Sequence, residues 1–86
     1  MKLIPGKLYK IKLEWLEFVI NHCFQYKQFS TKIYENNCVL YLGTQKNKTE
    51  INNDYSYHQF LVGKQIFLFA INIEINNKFF NCFKEY

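Results

Sequence analysis

Apolar and polar residues alternate along much of the chain, and this pattern predicts short antiparallel β-strands. The first predicted strand follows a turn at Pro5-Gly6 and covers 7–13. Its alternation places Tyr9, Ile11 and Leu13 on one face and Leu8, Lys10 and Lys12 on the other. From Gln28 onward the pattern predicts a meander of hairpins. Its elements are strands 29–34, 38–43, 57–62, 65–75 and 78–84, a polar loop over 44–54, and turns at Asn36-Asn37, Gly63-Lys64 and Asn76-Asn77.

The stretch 14–24 fits two patterns. Its apolar residues at i, i+3, i+4 and i+7 form a helical stripe of Leu16, Val19, Ile20 and Cys23. The run Phe18-Val19-Ile20 also suits a strand. We therefore expect either a short helix or an irregular excursion here.

The longest predicted strand carries large apolar residues on both faces. One face holds Phe67, Phe69, Ile71, Ile73 and Ile75. Ile66 and Leu68 point to the other face, which something must cover. We expect the segment 14–24 or a second copy of the chain to do so.

Together these elements predict a mainly β, single-domain fold over 1–86, a small antiparallel meander that closes toward an SH3-like barrel. Closure would remove exposed edges from a sheet rich in Phe and Ile. An aromatic share of 20% makes a disordered chain implausible. No internal repeat is apparent in the sequence.

Three stretches of sequence resemble a known group of proteins. They are 5–11 (PGKLYKI), 39–43 (VLYLG) and 60–66 (FLVGKQI). They are similar to the small uncharacterised SH3-like barrel proteins that tailed bacteriophages encode. The resemblance covers about half of the chain, and it implies a phage or mobile-element origin and a non-enzymatic binding role. It implies no functional residue.

The charged residues limit the possible partners. The net charge is +4, and every positive residue is Lys. Because Arg makes most bidentate contacts to guanine and phosphate, its absence argues against sequence-specific DNA readout. The Lys and Asn content also fits an A/T-rich coding sequence.

The cysteines and the N-terminal sequence predict a cytoplasmic protein, in the host cell if phage-encoded. Three Cys at wide spacing do not form a disulfide framework, so reduced thiols are expected. The sequence begins without the apolar run of a secretory signal, and its longest apolar run is too short to cross a bilayer.

No pattern of catalytic or metal-binding residues stands out, so neither an enzyme, a metal site nor a cofactor is expected. His22, His58 and the three cysteines Cys23, Cys38 and Cys82 lack the paired spacing of a zinc site. Cys38 and Cys82 lie in apolar stretches, where free Cys behaves as a small core residue. Glu14 and Glu17 are interpreted as a solvated face.

Two sets of residues suggest binding. The first would bind nucleic acid without sequence preference, with lysines on phosphates and tyrosines on bases, and consists of Lys46, Lys48, Lys64, Tyr41, Tyr55 and Tyr57. The carboxylates of Glu50 and Asp54 in the same loop reduce the positive charge of this set. The second is an apolar interface made of Trp15, Phe18, Ile66 and Leu68. The leading expectation is a non-enzymatic protein-interaction module that binds and modulates a host protein or is a small virion component. Self-association through the same surface is also expected. Binding of nucleic acid without sequence preference is the alternative.

Overall fold

The computed structural model describes residues 2–44 and 54–86 as one antiparallel sheet with helices packed on one face. The strands are β1 (Leu8–Ile11), β2 (Val39–Thr44), β3 (Tyr55–Val62), β4 (Gln65–Asn72) and β5 (Phe83–Glu85). The helices are α1 (Leu16–Ile20), α2 (Tyr26–Glu35) and α3 (Asn76–Phe80). Single 3₁₀ turns, Leu13–Trp15 and Ile73–Ile75, lead into α1 and α3.

The strand order is β4-β3-β2-β1-β5, so the first and last strands of the chain pair in the sheet. This confirms a small, mainly β domain. The predicted closed barrel is not confirmed, because β4 and β5 form the two edges and the described residues contain no ladder between them. The chain leaves β4 through a 3₁₀ turn and α3, and β5 is only three residues long.

The segment 14–24 is helical in part and lies beside β4. All four residues of its predicted helical stripe are buried. After α1, Cys23 forms an isolated antiparallel β-bridge with Phe69 of β4. The backbone N–H of Phe24 donates to the Leu68 carbonyl at 3.0 Å. This segment therefore covers the edge of β4. The expectation that it covers the face with Ile66 is wrong, since Ile66 remains 53% exposed.

The predicted strand 29–34 is wrong, because these residues belong to α2. Phe29 and Ile33, one turn apart, are both buried. The Phe29 ring meets the rings of Phe67 and Phe69 edge-on, with centroids 5.2 and 5.0 Å away. The Asn36-Asn37 hairpin turn is also wrong. Asn36 ends α2, and its backbone N–H donates to the Lys32 carbonyl.

The second Asn-Asn hairpin is likewise replaced by a helix. β4 ends at Asn72, whose side-chain oxygen accepts a hydrogen bond from the Glu74 N–H at 2.9 Å and so begins the 3₁₀ turn. Asn76 and Asn77 then start α3, and only the end of the predicted strand 78–84 is extended.

The segments 12–20 and 72–80 follow nearly the same backbone conformation, which the sequence did not reveal. After β1, Lys12 has φ −62° and ψ 131°, and after β4, Asn72 has φ −61° and ψ 134°. Trp15 (−112°, 7°) matches Ile75 (−109°, 11°) in the same way. In both places a strand continues into a 3₁₀ turn and a five-residue helix. The chain therefore uses the same strand-to-helix unit twice.

The core lies between the helices and the inner face of the sheet and is largely aromatic. Phe60 of β3 stacks on Phe83 of β5 with centroids 5.1 Å apart and planes 10° apart. Phe79 of α3 meets both rings. Leu13, predicted to share the inward face of β1, is instead 77% exposed, because β1 ends at Ile11 and the 3₁₀ turn redirects the chain.

Candidate functional site

The outer face of the sheet carries a line of aliphatic side chains that crosses four strands. Leu8 lies opposite Leu40, Leu40 opposite Leu61, and Leu61 opposite Ile66. We call these four residues the outer row. Leu8 and Ile66 at its ends are 46% and 53% exposed, and the two residues between them are half-buried.

The strand alternation fixes the outward direction of the outer row. Its sequence neighbours Tyr9, Val39, Phe60 and Phe67 are each at most 1% exposed and form part of the core. Because side chains alternate between faces, the row must point away from that core. The buried residues of α1, α2 and α3 belong to the same core, so these helices pack on the opposite face. The outer row is thus a solvent-facing apolar strip.

A basic region adjoins the outer row where β1 pairs with β5. Lys10 lies directly opposite Lys84. The Lys10 Nζ is 5.0 Å from the centroid of the Tyr86 ring, which is 65% exposed. Nearby, the Lys7 Nζ donates to the Glu85 carboxylate at 2.9 Å, and this contact raises the pKa of Lys7. Lysines and a tyrosine therefore border one end of the apolar strip.

Among the described residues, the polar side chain that is buried in the core is that of His58, which is 1% exposed. The Tyr41 hydroxyl lies 2.9 Å from its Nδ1, and the Ser56 Oγ lies 3.0 Å from its Nε2. Ser56 in turn donates to the Asn76 side-chain oxygen at 2.9 Å. Burial lowers the pKa of His58 to about 4, so the ring is neutral at pH 7. A ring enclosed in this way is out of reach of a substrate, and we assign it a structural role.

His22 is held by local contacts, and Cys23 and Cys82 are buried. His22 stacks on Phe18, with centroids 4.6 Å apart, and its Nδ1 lies 2.7 Å from the Phe18 carbonyl oxygen. Burial raises the pKa of Cys23 to about 11 and also raises the pKa of Cys82, so both are thiols at neutral pH. Within 2–44 and 54–86, no three His, Cys, Asp or Glu residues are grouped as metal ligands would be.

The predicted nucleic-acid set is dispersed in the structure. Lys46 and Lys48 lie outside the described residues. Tyr41 is 4% exposed and bonded to His58, so its ring does not face solvent. Lys64 occupies the turn between β3 and β4, whereas Tyr55 and Tyr57 lie toward the other end of β3. A strand of this length spans about 23 Å, which is too far for one compact site.

The predicted apolar interface divides into two pairs. Trp15 and Phe18 meet edge-on at 6.1 Å, and the Lys78 Nζ lies 5.3 and 4.9 Å from their ring centroids. This pair belongs to the helical layer. Ile66 and Leu68 lie on the outer face of β4, where Ile66 ends the outer row.

Sequence reasoning missed Leu8, Leu40 and Leu61 of the outer row, and also the pairing of Lys10 with Lys84. Alternation identifies the outward residues of each strand, but it does not say which strands are neighbours or in what register.

No family model matches the chain, and comparisons with curated proteins and with solved structures find no similar protein. Within the described ranges, no helix is long and apolar enough to cross a bilayer. Function is therefore inferred from the chain's own residues.

Proposed function

We propose that this protein is a non-enzymatic protein-interaction module that contacts its partner through the outer row. The observation that carries the proposal is the register of β1 to β4, which aligns four aliphatic side chains on a face opposite the core. Contiguous apolar surface of this kind marks interaction sites on soluble domains. Scattered single apolar residues would not support the same conclusion.

The surroundings of the outer row fit a protein contact. Neighbouring strands are about 4.8 Å apart, so the row extends about 14 Å, which is the width of one helix or a pair of strands. Leu42 and Leu68 on the same side add apolar surface, and the lysines beyond Leu8 supply a polar rim. Interfaces commonly combine an apolar centre with a polar rim.

The biological setting that we propose rests on the sequence resemblance. The protein would be a phage or mobile-element accessory protein that binds and modulates a host protein in the cytoplasm, or a small virion component. We further propose that the sheet is an opened relative of an SH3-like barrel. The return of β5 to β1 supports this proposal, because it brings the two ends of the meander together.

Affinity capture with two matched variants tests the interaction surface. Ile66 in the outer row and Ile73 in the 3₁₀ turn are the same residue type and are 53% and 52% exposed. Ile66→Lys should abolish capture of a specific protein from cells that express the gene, whereas Ile73→Lys should retain it. Equal capture by both variants would reject the outer row as the contact surface.

Nucleic-acid binding without sequence preference is the second candidate. The observation in its favour is that Tyr55 and Tyr57 alternate with buried His58 and therefore face outward on β3, close in sequence to Lys46 and Lys48. Anisotropy of labelled single-stranded DNA should then show an affinity that falls steeply with salt. Binding that is absent at low salt would remove this candidate.

A further inference from the structure

We propose that Lys10, Lys84 and Tyr86 form a binding site for a phosphate-type anion. They border a cavity of about 260 Å³ where β1 ends beside β5. Leu13, Asn36 and Asn37 complete its lining together with Ile11. The site adjoins the Leu8 end of the outer row but is formed by charged and polar residues outside it, so this inference goes beyond the protein-interaction proposal and is tested separately.

The charge arrangement is the first reason. Lys10 and Lys84 are direct cross-strand partners, and like charges in that position repel each other. The Glu85 carboxylate, next to Lys84 in β5, is paired with the Lys7 ammonium at 2.9 Å. No carboxylate side chain lines the cavity. An anion bound between the two ammonium groups would remove the repulsion and gain two charge-assisted contacts.

The second reason is that hydrogen bonds hold the backbone around the cavity in place. The Asn37 side chain accepts from the Ile11 N–H at 2.9 Å and donates to the Ile11 carbonyl at 2.7 Å, so it replaces a strand partner at the end of β1. The Tyr86 N–H donates to the Leu8 carbonyl at 3.2 Å. A site held in place by such contacts loses less conformational freedom when it binds.

The ligand class follows from the donors. An ammonium group offers three N–H donors around a point charge, and lysine side chains bind phosphate oxygens in this way. The exposed Tyr86 ring would provide a flat surface for the remainder of a phosphate ester. α2 ends at the cavity, and its C-terminus carries about half a negative charge that opposes an anion. Lys10 and Lys84 each carry a full positive charge against this partial one.

The phosphate has two possible sources, a small phosphate ester or the backbone of a nucleic acid. The test is a two-dimensional ¹H–¹⁵N NMR titration at low ionic strength with inorganic phosphate, then adenosine monophosphate, then a short oligothymidylate, with chloride as the ionic-strength control. Phosphate should shift the amide signals of β1, β5 and 36–37 in a saturable manner. Lys84→Gln should weaken this binding about tenfold, because one charged hydrogen bond is lost.

Lys27→Gln is the matched control, because it removes the same charge from an exposed position of α2 outside the cavity lining and should leave phosphate binding unchanged. Equal weakening by both variants would show general charge screening and overturn the proposal, as would shifts spread over all lysines or no saturation with phosphate. If Lys84→Gln also weakens oligothymidylate binding, the source is nucleic acid. If phosphate and the monophosphate bind but the oligonucleotide does not, the source is a small ester.

Discussion

At the scale of single residues, His58 shows how the chain places a polar side chain inside an aromatic core. Asn76 offers an oxygen, which only accepts, so the Ser56 hydroxyl donates to it and accepts from His58 Nε2–H. The remaining nitrogen, Nδ1, then accepts from the Tyr41 hydroxyl. Every hydrogen-bonding atom of the neutral ring is thus satisfied, and the surrounding rings of Phe79 and Phe80 do not accommodate a charge.

This arrangement predicts a loss of stability in mild acid. Burial lowers the pKa of His58 from 6.5 to about 4, so between these values the unfolded state binds more protons than the folded state. The contribution is fully present above pH 6.5 and is lost as the pH falls toward 4, by about 3 kcal/mol in total. Urea unfolding at pH 7 and pH 4.5 measures it.

His58→Gln is the control, because glutamine does not titrate in this range. The free energy of unfolding of this variant should depend less on pH than that of the parent protein. The same pH dependence in both proteins would show that His58 is not the responsible group.

Alternation along β3 places residue 58 on the inward side, but the sequence does not identify its partners. Tyr41 and Asn76 come from β2 and α3, and only the strand pairing and the second helix bring them to the ring. The interpretation of Tyr41 as a residue that stacks on bases does not agree with this geometry, because its hydroxyl is needed inside the core.

At the scale of elements, α2 is the main error of the sequence analysis, and its cause is physical. Phe29, Thr31 and Ile33 alternate as a strand does, whereas Phe29 and Ile33 are also one helical turn apart. Local preference is weak for such a segment. The aromatic pocket formed by Phe67 and Phe69 decides in favour of the helix, and those residues lie far along the chain. In 14–24 the apolar residues at i, i+3, i+4 and i+7 indicated a short helix as one of two expectations, because that spacing lies on one face of a helix.

The repeated strand-to-helix unit predicts a stabilising substitution. Asn72 caps its 3₁₀ turn through Glu74, whereas Lys12 has nearly the same dihedral angles and makes no side-chain cap. Lys12→Asn should therefore supply the missing cap to the Glu14 N–H and raise the free energy of unfolding by about 1 kcal/mol. Thermal or urea unfolding of the purified variant measures the change.

Asn72→Ala gives the complementary measurement and should lower the stability by a similar amount. If Lys12→Asn is neutral or destabilising while Asn72→Ala destabilises, the two units are not equivalent in energy despite their matching backbones.

At the scale of the whole molecule, both faces of the sheet carry apolar side chains, but the helices pack on only one face. The sequence predicted a mainly β domain and the apolar character of both faces of β4. It did not predict that the helices leave the outer face open, because that depends on how α1 and α2 cross the sheet. Barrel closure failed for a related reason: Asn72 ends β4 through its cap, and the chain turns into α3 before it can pair as a long strand.

This one-sided packing predicts opposite effects for two neighbours on β4. Phe67 is 0% exposed and Ile66 is 53% exposed. Phe67→Ala should lower the free energy of unfolding by about 3–5 kcal/mol, because it leaves a cavity beneath α2. Ile66→Ala should change it by less than about 1 kcal/mol. Comparable losses in urea unfolding would mean that a further part of the protein covers the outer face.

The central claim is that the outer row contacts a protein, and site-specific photo-crosslinking tests it most directly. p-Benzoylphenylalanine would replace Ile66 in one variant and Ile73 in another, since the two isoleucines are almost equally exposed. On irradiation of cells that express the gene, position 66 should yield a discrete cross-linked protein, or a cross-linked second copy of the chain, that position 73 does not. Equal cross-linking at both positions, or none at position 66, would contradict the proposed role of the outer row.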